Sequence, residues 1–289
     1  MDKQKKEMLE NILVNTGDLN YKRRIKKIVE YLDIKPGDKV LDCGCGDGFY
    51  TMIISELFDC QIYAADNNQK LLDQAAINVR QKERVKFIKD DFEDGIPFED
   101  NFFDKIIFTE VLEHLDNEKV ALDELYRVLK PKGRLAITVP HENYPYFWDP
   151  LNWIRTKLGL GHFDASSPVL GGVWSFEHRR LYTPEYLRKI VEQSKFKVNE
   201  LSGLSHHCMP FNLLILYCGK QTYTRLPLPQ SLKDDMEKFS WSENNSAKKN
   251  RNILIDFVFN LFKKVDAPNE GVNFIGKNSF ITVFCGLEK

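Results

Sequence analysis

A glycine-rich segment, VLDCGCGDGFY, carries the residues of this chain best suited to hold a ligand. Gly44, Gly46 and Gly48 are spaced two apart, directly after an apolar run that is typical of a buried strand. Glycine lets the backbone turn sharply and leaves room for a ligand to touch main-chain atoms. A turn of this kind between a strand and a helix places a cofactor at the carboxyl end of the first strand of an open α/β sheet. A purely structural turn is the alternative.

Two carboxylates near this turn narrow the chemistry of the ligand. Asp42 lies two positions before Gly44, where it would repel a diphosphate and attract a cationic amino acid. Asp66 ends the second predicted strand, where it can accept hydrogen bonds from two ribose hydroxyls. The glycines also follow a GxGxG spacing, whereas dinucleotide-binding proteins have GxGxxG. These features count against an NAD-linked oxidoreductase.

A third carboxylate follows the third predicted strand, in the segment KDDFEDGIPF. Asp91 is well placed there to accept a hydrogen bond from an adenine amino group, with Phe92 beside the ring. A plain surface carboxylate is the alternative interpretation of Asp91. A cofactor with an ammonium, a sulfonium, a ribose and an adenine, but no phosphate, satisfies the requirements of all three acidic positions.

Four segments, in this order and at this spacing, resemble the class I methyltransferases that use S-adenosyl-L-methionine (SAM), of the small-molecule type that includes enzymes methylating quinone precursors. They are VLDCGCGDG, AADNN, KDDFEDGIPFEDNFFDKIIFTEVLEHL and LYRVLKPKGRLAITVP. The match covers about residues 36–140, and HRRLYTPEYLRKIVEQSKFKV (178–198) is similar to a late helix and strand of the family.

The resemblance implies SAM as the cofactor and a set of residues that contact it. These are Asp42, Gly44, Cys45, Gly46, Asp66, Asn67, Asp91, Phe92, Thr109 and Glu110. Asp66 and Asn67 would contact the ribose, and Thr109 and Glu110 the methionine part. One departure concerns the adenine: Asp91 lies six residues before Pro97, one more than the commoner family spacing, so Asp90 is the alternative.

Methyl transfer from a sulfonium is an in-line displacement, so the protein mainly positions the reacting groups. A hydroxyl acceptor must also lose a proton, and a positioned base accelerates that step ~10²–10⁴-fold. His114 and His141 are the first candidates, because they follow the fourth and fifth predicted strands; Glu142, His162 and His178 come after them. A packing residue is the alternative for His114, and a solvent-facing loop residue for His141. The histidines have no recognisable ligand spacing, so we expect no metal.

Strands alternate with helical patterns up to residue 140, which indicates βαβ units and a parallel sheet. Together with the resemblance, this predicts an α/β, Rossmann-like fold: a seven-stranded, mostly parallel sheet with helices on both faces and an antiparallel last strand. Three parts are expected: an N-terminal helical segment (1–35), the SAM-binding core (36–202 and 279–289) and an insertion (203–278). Residues 130–133 are expected to form a turn before a fifth strand at 134–139.

The segments outside the core are rich in aromatic and apolar residues. Residues 141–182 form a lid-like segment, which could line an apolar pocket or form the core of a small cap; its aromatic residues are Tyr144, Tyr146, Phe147, Trp148, Trp153, Phe163, Trp174 and Phe176. A helix near 249–264 has apolar residues on one face and basic flanks at Lys248, Lys249, Arg251, Lys263 and Lys264. It resembles an interfacial helix, or else packs on the domain. With the apolar stretch Phe211–Tyr217, it predicts a small-molecule or lipid-linked acceptor and peripheral contact with a membrane surface.

The composition limits the partners and the compartment. The 41 basic and 42 acidic residues leave a net charge of −1, which predicts no nucleic-acid partner. The six cysteines show no repeating pair spacing, and no apolar run approaches the roughly 20 residues of a membrane span. We therefore expect a cytoplasmic protein, with peripheral contact at the inner membrane surface. A non-catalytic SAM-fold protein that binds cofactor or a partner is the rival function.

Overall fold

The structure, a computed structural model, describes the chain except for residues 93–94, 165, 168–169, 176–177, 226, 228, 231–232, 234–236, 240–252 and 278. Within these residues, seven strands form one sheet: β1 (Lys39–Cys43), β2 (Gln61–Asp66), β3 (Val85–Lys89), β4 (Phe103–Thr109), β5 (Leu129–Pro140), β6 (Lys197–Leu204) and β7 (Thr282–Glu288). Their order across the sheet is β3-β2-β1-β4-β5-β7-β6. The pairs among β1 to β5 are parallel, and β7 lies antiparallel between β5 and β6. The predicted fold is confirmed.

Nine helices belong to the same described part of the chain: α1 (Lys3–Ile12), α2 (Leu19–Leu32), α3 (Phe49–Leu57), α4 (Gln69–Asn78), α5 (Glu118–Val128), α6 (Pro150–Lys157), α7 (Pro184–Gln193), α8 (Asn212–Arg225) and α9 (Ile253–Asp266). Their buried faces divide the core into two layers. Apolar residues of α1 to α4, such as Ile28 and Ile53, cluster on one side of the sheet. Those of α5 and α7, such as Leu122 and Leu187, cluster on the other. The sheet is thereby held rigid between two apolar layers.

Two helix starts show how local sequence positions elements around the site. Asp18 caps α2, and its carboxylate accepts hydrogen bonds from the backbone N–H groups of Asn20 (3.0 Å) and Tyr21 (3.1 Å). Thr183 caps α7 by accepting from the Tyr186 N–H at 3.1 Å, and a proline occupies the first turn, as the sequence predicts. Both helices thus begin directly after a residue whose side chain satisfies backbone N–H groups of the first turn.

The predicted turn at residues 130–133 is wrong. These residues belong to β5, which begins at Leu129. The backbone N–H of Lys132 donates to the Lys289 carbonyl at 2.9 Å, and the Lys289 N–H donates to the Gly133 carbonyl at 3.3 Å. The end of the chain thus supplies partners that the local sequence could not reveal.

The structure also bears on membrane insertion. None of the helices in the described residues is long and apolar enough to span a bilayer.

Candidate cofactor and acceptor site

The glycine turn sits at the carboxyl end of β1, as predicted. The backbone N–H groups of Gly44 and Cys45 both donate to the Ala65 carbonyl, at 2.8 and 2.9 Å, so the turn is tied to β2. Gly44 has φ +80°, and a Cβ there would come within 2.3 Å of Val111 Cγ2. A Cβ on Gly46, with φ +54°, would have no atom within 4 Å. Gly44 is therefore required by packing, whereas Gly46 borders open space that a ligand could fill.

Asp42 and Asp66 are both buried beside this turn. The Asp42 carboxylate accepts a hydrogen bond from the Thr51 hydroxyl at 2.5 Å. Burial raises the pKa of Asp42 to about 7, although Thr51 lowers it, and the nearby Asp66 adds to the rise. Asp66 accepts from the backbone N–H groups of Gly46 and Asn68, both at 2.9 Å. The structure therefore brings the two acidic residues together with the loop that the sequence singled out.

The neighbouring predicted contacts differ in exposure. Asn67 and Asp91 are exposed, while Cys45 and Phe92 are buried. Phe92 packs in the apolar layer shared with α5, so its ring is part of the core. The exits of β2 and β3 are joined, since the Asp90 N–H donates to the Asp66 carbonyl at 3.1 Å. Of Asp91 and Phe92, the two residues predicted to contact the adenine, Asp91 is thus the more accessible.

At the end of β4, Thr109 is buried and Glu110 has a left-handed backbone with φ +54°. The Glu110 carboxylate accepts from the Thr138 hydroxyl at 3.0 Å and pairs with the Arg24 guanidinium at 2.9 Å. Arg24 belongs to α2 and is largely buried. It was missed because no motif surrounds it; the one available signal was its place beside the buried face of α2. The ion pair puts a guanidinium at the carboxyl edge of the sheet.

Past β4, Glu113 and two histidines form a polar cluster. Glu113 is fully buried, and neither of its carboxylate oxygens has a hydrogen-bond partner in the described residues. Burial raises the pKa of Glu113 well above its usual range, and Glu110 adds to this. His178 Nε2 lies 3.8 Å from Glu113 Oε1, and the His114 and His178 rings meet edge-on at 4.7 Å.

The cluster joins the segment after β4 to the segment before α7, because the Arg179 N–H donates to the Glu113 carbonyl at 3.0 Å. Ligand atoms of Glu113, His114 and His178 lie within 4.8 Å of one another, and their types suit a metal ion. Sequence spacing gave no hint of this grouping, since His178 is distant in the chain. The prediction of no bound metal remains a prediction.

His141 follows β5, and its contacts are with Asn143 and Phe280 rather than with the cluster of Glu113, His114 and His178. It is buried and stacks on Phe280, with ring centroids 3.7 Å apart. Its Nδ1 is 3.0 Å from the Asn143 carbonyl and 3.2 Å from the Phe280 carbonyl. Because carbonyls only accept, Nδ1 must donate, and the neutral ring then carries its lone pair on Nε2. Burial lowers the pKa of His141, which favours that neutral form.

The lid-like segment 141–182 has a small core of its own. Tyr144, Trp148 and Val173 cluster with Ile281, which directly precedes β7. Other aromatic residues of this segment, Tyr146 and Phe147, are exposed. Phe176 lies outside the described residues. Some of the predicted aromatic residues therefore form a cap core, while others face outward.

The insertion reaches the cofactor loop and the N-terminal helices. Lys238 Nζ lies 2.6 Å from the Asp47 carboxylate, and the Phe239 ring packs edge-on against Phe49 at 5.2 Å. In α9, Asp266 receives two hydrogen bonds from Arg23, at 3.0 and 2.6 Å. The predicted helix is confirmed over Ile253–Asp266, whereas its expected first turn and the basic residues Lys248, Lys249 and Arg251 lie outside the described residues.

Comparison with known families fits this geometry. Residues 41–137 match the family model described as "Methyltransferase domain". Over these residues, which make up about a third of the chain, the protein is similar to methyltransferase domains. The match ends shortly before β5 does, so the lid and the insertion lie outside it.

Particular relatives share the same region. The sterol 24-C-methyltransferase erg6 of Schizosaccharomyces pombe is 35% identical over 109 residues, which is 37% of this chain and 29% of that protein. The mitochondrial ubiquinone biosynthesis O-methyltransferase of Dictyostelium discoideum is 25% identical over 197 residues, 65% of this chain and 58% of that one. The chain therefore spans less than two thirds of the length of either relative.

A solved structure extends the likeness of fold to nearly the whole chain. The Haemonchus contortus phosphoethanolamine N-methyltransferase 2, in complex with S-adenosyl-L-methionine, superimposes with a TM-score of 0.55 at 18% identity. The superposition covers 99% of this chain and 56% of that one. At this identity the comparison establishes the fold.

Proposed function

We propose that the chain transfers the methyl group of SAM to a small-molecule or lipid-linked acceptor, at an oxygen or nitrogen atom in preference to carbon. The observation that carries the proposal is the arrangement of Asp42, Gly46 and Asp66 around one turn that borders open space. The sterol 24-C-methyltransferase supports an apolar acceptor, and the ubiquinone biosynthesis O-methyltransferase supports transfer to oxygen.

The cofactor would lie along the carboxyl ends of β1, β2 and β4. Asp66 would accept from the ribose hydroxyls, and Asp91 from the adenine amino group. Asp42 and Glu110 would attract the ammonium and sulfonium ends of the methionine part. Arg24 adds a partner for the methionine carboxylate, because its guanidinium already lies at this edge through its pair with Glu110.

The acceptor's proton would pass to a neutral histidine. His114 and His178 lie together beside Glu113, and His141 holds a lone pair on Nε2. A proton taken by His178 would create an imidazolium whose Nε2 lies 3.8 Å from Glu113 Oε1, an oxygen that can accept a hydrogen bond from it. The cluster past β4 is therefore the favoured base for a hydroxyl acceptor, and His141 is the second candidate.

The lid and the insertion would shape the acceptor site. Residues 141–182 and 203–278 flank the core that binds the cofactor, and segment 237–239 contacts the glycine loop. Their apolar composition suits an acceptor with a lipid or other apolar part. Such an acceptor fits a cytoplasmic protein that works peripherally at the inner membrane surface.

The function is tested by incubating the full chain with labelled SAM and acceptors of three kinds: phenolic quinone precursors, phosphorylated amino alcohols and sterols. We expect release of S-adenosylhomocysteine together with label in one acceptor class. Tight SAM binding without release in any class, where cell lipid extract also gives none, would favour the non-catalytic rival.

A further inference from the structure

The helix α6 turns an apolar stripe outward from the lid. Leu151, Ile154 and Leu158 follow one another at spacings of three and four residues and are all exposed. Leu158 is 68% exposed and Leu160, just beyond the helix, is 59% exposed. The Leu160 N–H donates to the Arg155 carbonyl at 2.9 Å, so this tip is held by the end of the helix. These side chains are displayed on a fixed support.

Phe147, three residues before α6, is joined to a segment that is distant in sequence. The Phe211 N–H donates to the Phe147 carbonyl at 3.0 Å, and both rings are about half exposed. Residues Phe147, Leu151, Ile154, Leu158, Leu160 and Phe211 are here called the α6 face. An apolar surface assembled from two segments in this way is typical of an interaction site, since single exposed apolar residues would be scattered.

Positive charge borders the α6 face. Arg155 and Lys157 occupy the last turn of α6, and no acidic residue occurs from Pro150 to Phe163. Arg155 stacks on the Phe163 ring at 4.3 Å, and Lys157 lies 5.6 Å from the centre of the Trp153 ring. In the part of the chain that is described, neither cation forms an ion pair with a carboxylate. Apolar side chains next to cations that form no ion pair in the described residues complement an anionic lipid surface.

We propose that the α6 face docks the chain on an anionic bilayer. The proposal rests on the proposed function, because it explains how an acceptor with a lipid part reaches the site. The lid that displays the face packs through Trp148 on Ile281, whose carbonyl accepts from the His141 N–H at 2.9 Å. Docking would therefore bring the acceptor side of the sheet edge to the membrane, and the acceptor could be methylated without leaving the bilayer.

The test is sedimentation of the full chain with vesicles of phosphatidylcholine mixed with phosphatidylglycerol, or of phosphatidylcholine alone, at low salt. We expect association with the anionic vesicles. Replacing both Leu158 and Leu160 by Glu should weaken it about tenfold or more, since two inserting side chains become charged. Ile77→Glu is the matched control: Ile77 is 72% exposed on α4, outside the lid, and its substitution should leave association unchanged. Replacing Arg155 and Lys157 by Ala should remove the preference for anionic lipid.

Three results would overturn the proposal: no association of the unaltered chain, equal loss with Ile77→Glu, or self-association through the α6 face in sedimentation velocity without vesicle binding. SAM affinity, measured by calorimetry on the same variants, should be unchanged, which shows that they are folded. Failure to bind SAM would count against the proposed function and leave the vesicle result standing, so the two failures are distinguishable.

Discussion

The carboxyl edge of the sheet has two halves that depend on the sequence in different ways: a cofactor half after β1 and β2, and an acceptor half formed by the residues after β4 and β5 with the lid. In the cofactor half, the loop after β1 and the carboxylate that ends β2 lie in one short stretch, and the family match covers it. In the acceptor half, the contacts join segments that are far apart: His178 lies beside Glu113, and the Phe211 N–H donates to the Phe147 carbonyl. The first half depends on local backbone geometry, and the second on how long connections fold back.

This difference predicts distinct responses to substitution. Changes in the cofactor half should alter SAM affinity or the stability of the domain. Changes in the acceptor half should alter turnover, because we propose that its polar groups act on the acceptor's proton rather than on the cofactor.

The largest effect on turnover is expected in the acceptor half. With a hydroxyl acceptor, His114→Ala or His178→Ala should lower turnover by ~10²-fold or more while SAM affinity stays nearly constant, since a base acts in the transition state. His141→Ala should have the smaller effect. Single-turnover kinetics with the true acceptor and SAM calorimetry measure the two quantities. Wild-type turnover in all three variants would show that none of these histidines takes the proton.

A second effect, in the cofactor half, is the pH dependence of the free energy of unfolding. The pKa of Asp42 rises from 3.8 to about 7 on folding, chiefly because of burial. Its contribution to stability is therefore fully present below pH 3.8 and is lost as pH rises through about 7. Three units correspond to about 4 kcal/mol. Urea unfolding of the wild type and Asp42→Asn on both sides of this range should show a weaker loss with rising pH in the variant; equal slopes would contradict the assignment.

The third prediction compares two glycines of one loop. Gly44→Ala forces a Cβ against Val111 in a left-handed conformation and should cost about 3 kcal/mol of unfolding free energy. Gly46→Ala meets no neighbour, so it should cost about 1 kcal/mol. For SAM affinity, relative to the stability that each variant loses, Gly46→Ala should have the larger effect, because Gly46 borders the open space proposed for the ligand. Thermal unfolding and calorimetry check this, and equal destabilisation by both variants would argue against it.

The smallest effect concerns the contact between the halves. Lys238 and Asp47 are 30% and 36% exposed, so their ion pair is screened by solvent. Lys238→Met should change SAM affinity by less than about 1 kcal/mol, and added salt should remove the difference. A large, salt-independent loss would mean that Lys238 touches the cofactor itself.

The sequence predicted the fold and the loop because both depend on nearby residues. Alternating strands and helices imply the parallel sheet, and the glycine spacing with Asp66 implies the turn beside it. Arg24, Glu113 and the β5 extension at residues 130–133 escaped prediction. Each depends on a partner from elsewhere in the chain: Glu110 for Arg24, His178 for Glu113 and Lys289 for the strand.

The candidate base illustrates the same limit. His141 was an attractive candidate because it follows β5 directly, yet its Nδ1 is engaged by two backbone carbonyls. His178 was a distant candidate by sequence, yet it lies beside a buried carboxyl. Position after a strand predicts proximity to the sheet edge; it does not predict which nitrogen is available.

The most direct test of the account is calorimetry of SAM and NAD with the wild type and Asp66→Ala. Asp66 is buried beside Gly46, and its carboxylate accepts from that backbone N–H at 2.9 Å, so it should anchor the ribose. We expect the wild type to bind SAM and S-adenosylhomocysteine but not NAD, and the variant to lose about 1.5–3 kcal/mol of SAM binding free energy. Tight NAD binding, or unchanged SAM affinity in Asp66→Ala, would contradict the central claim.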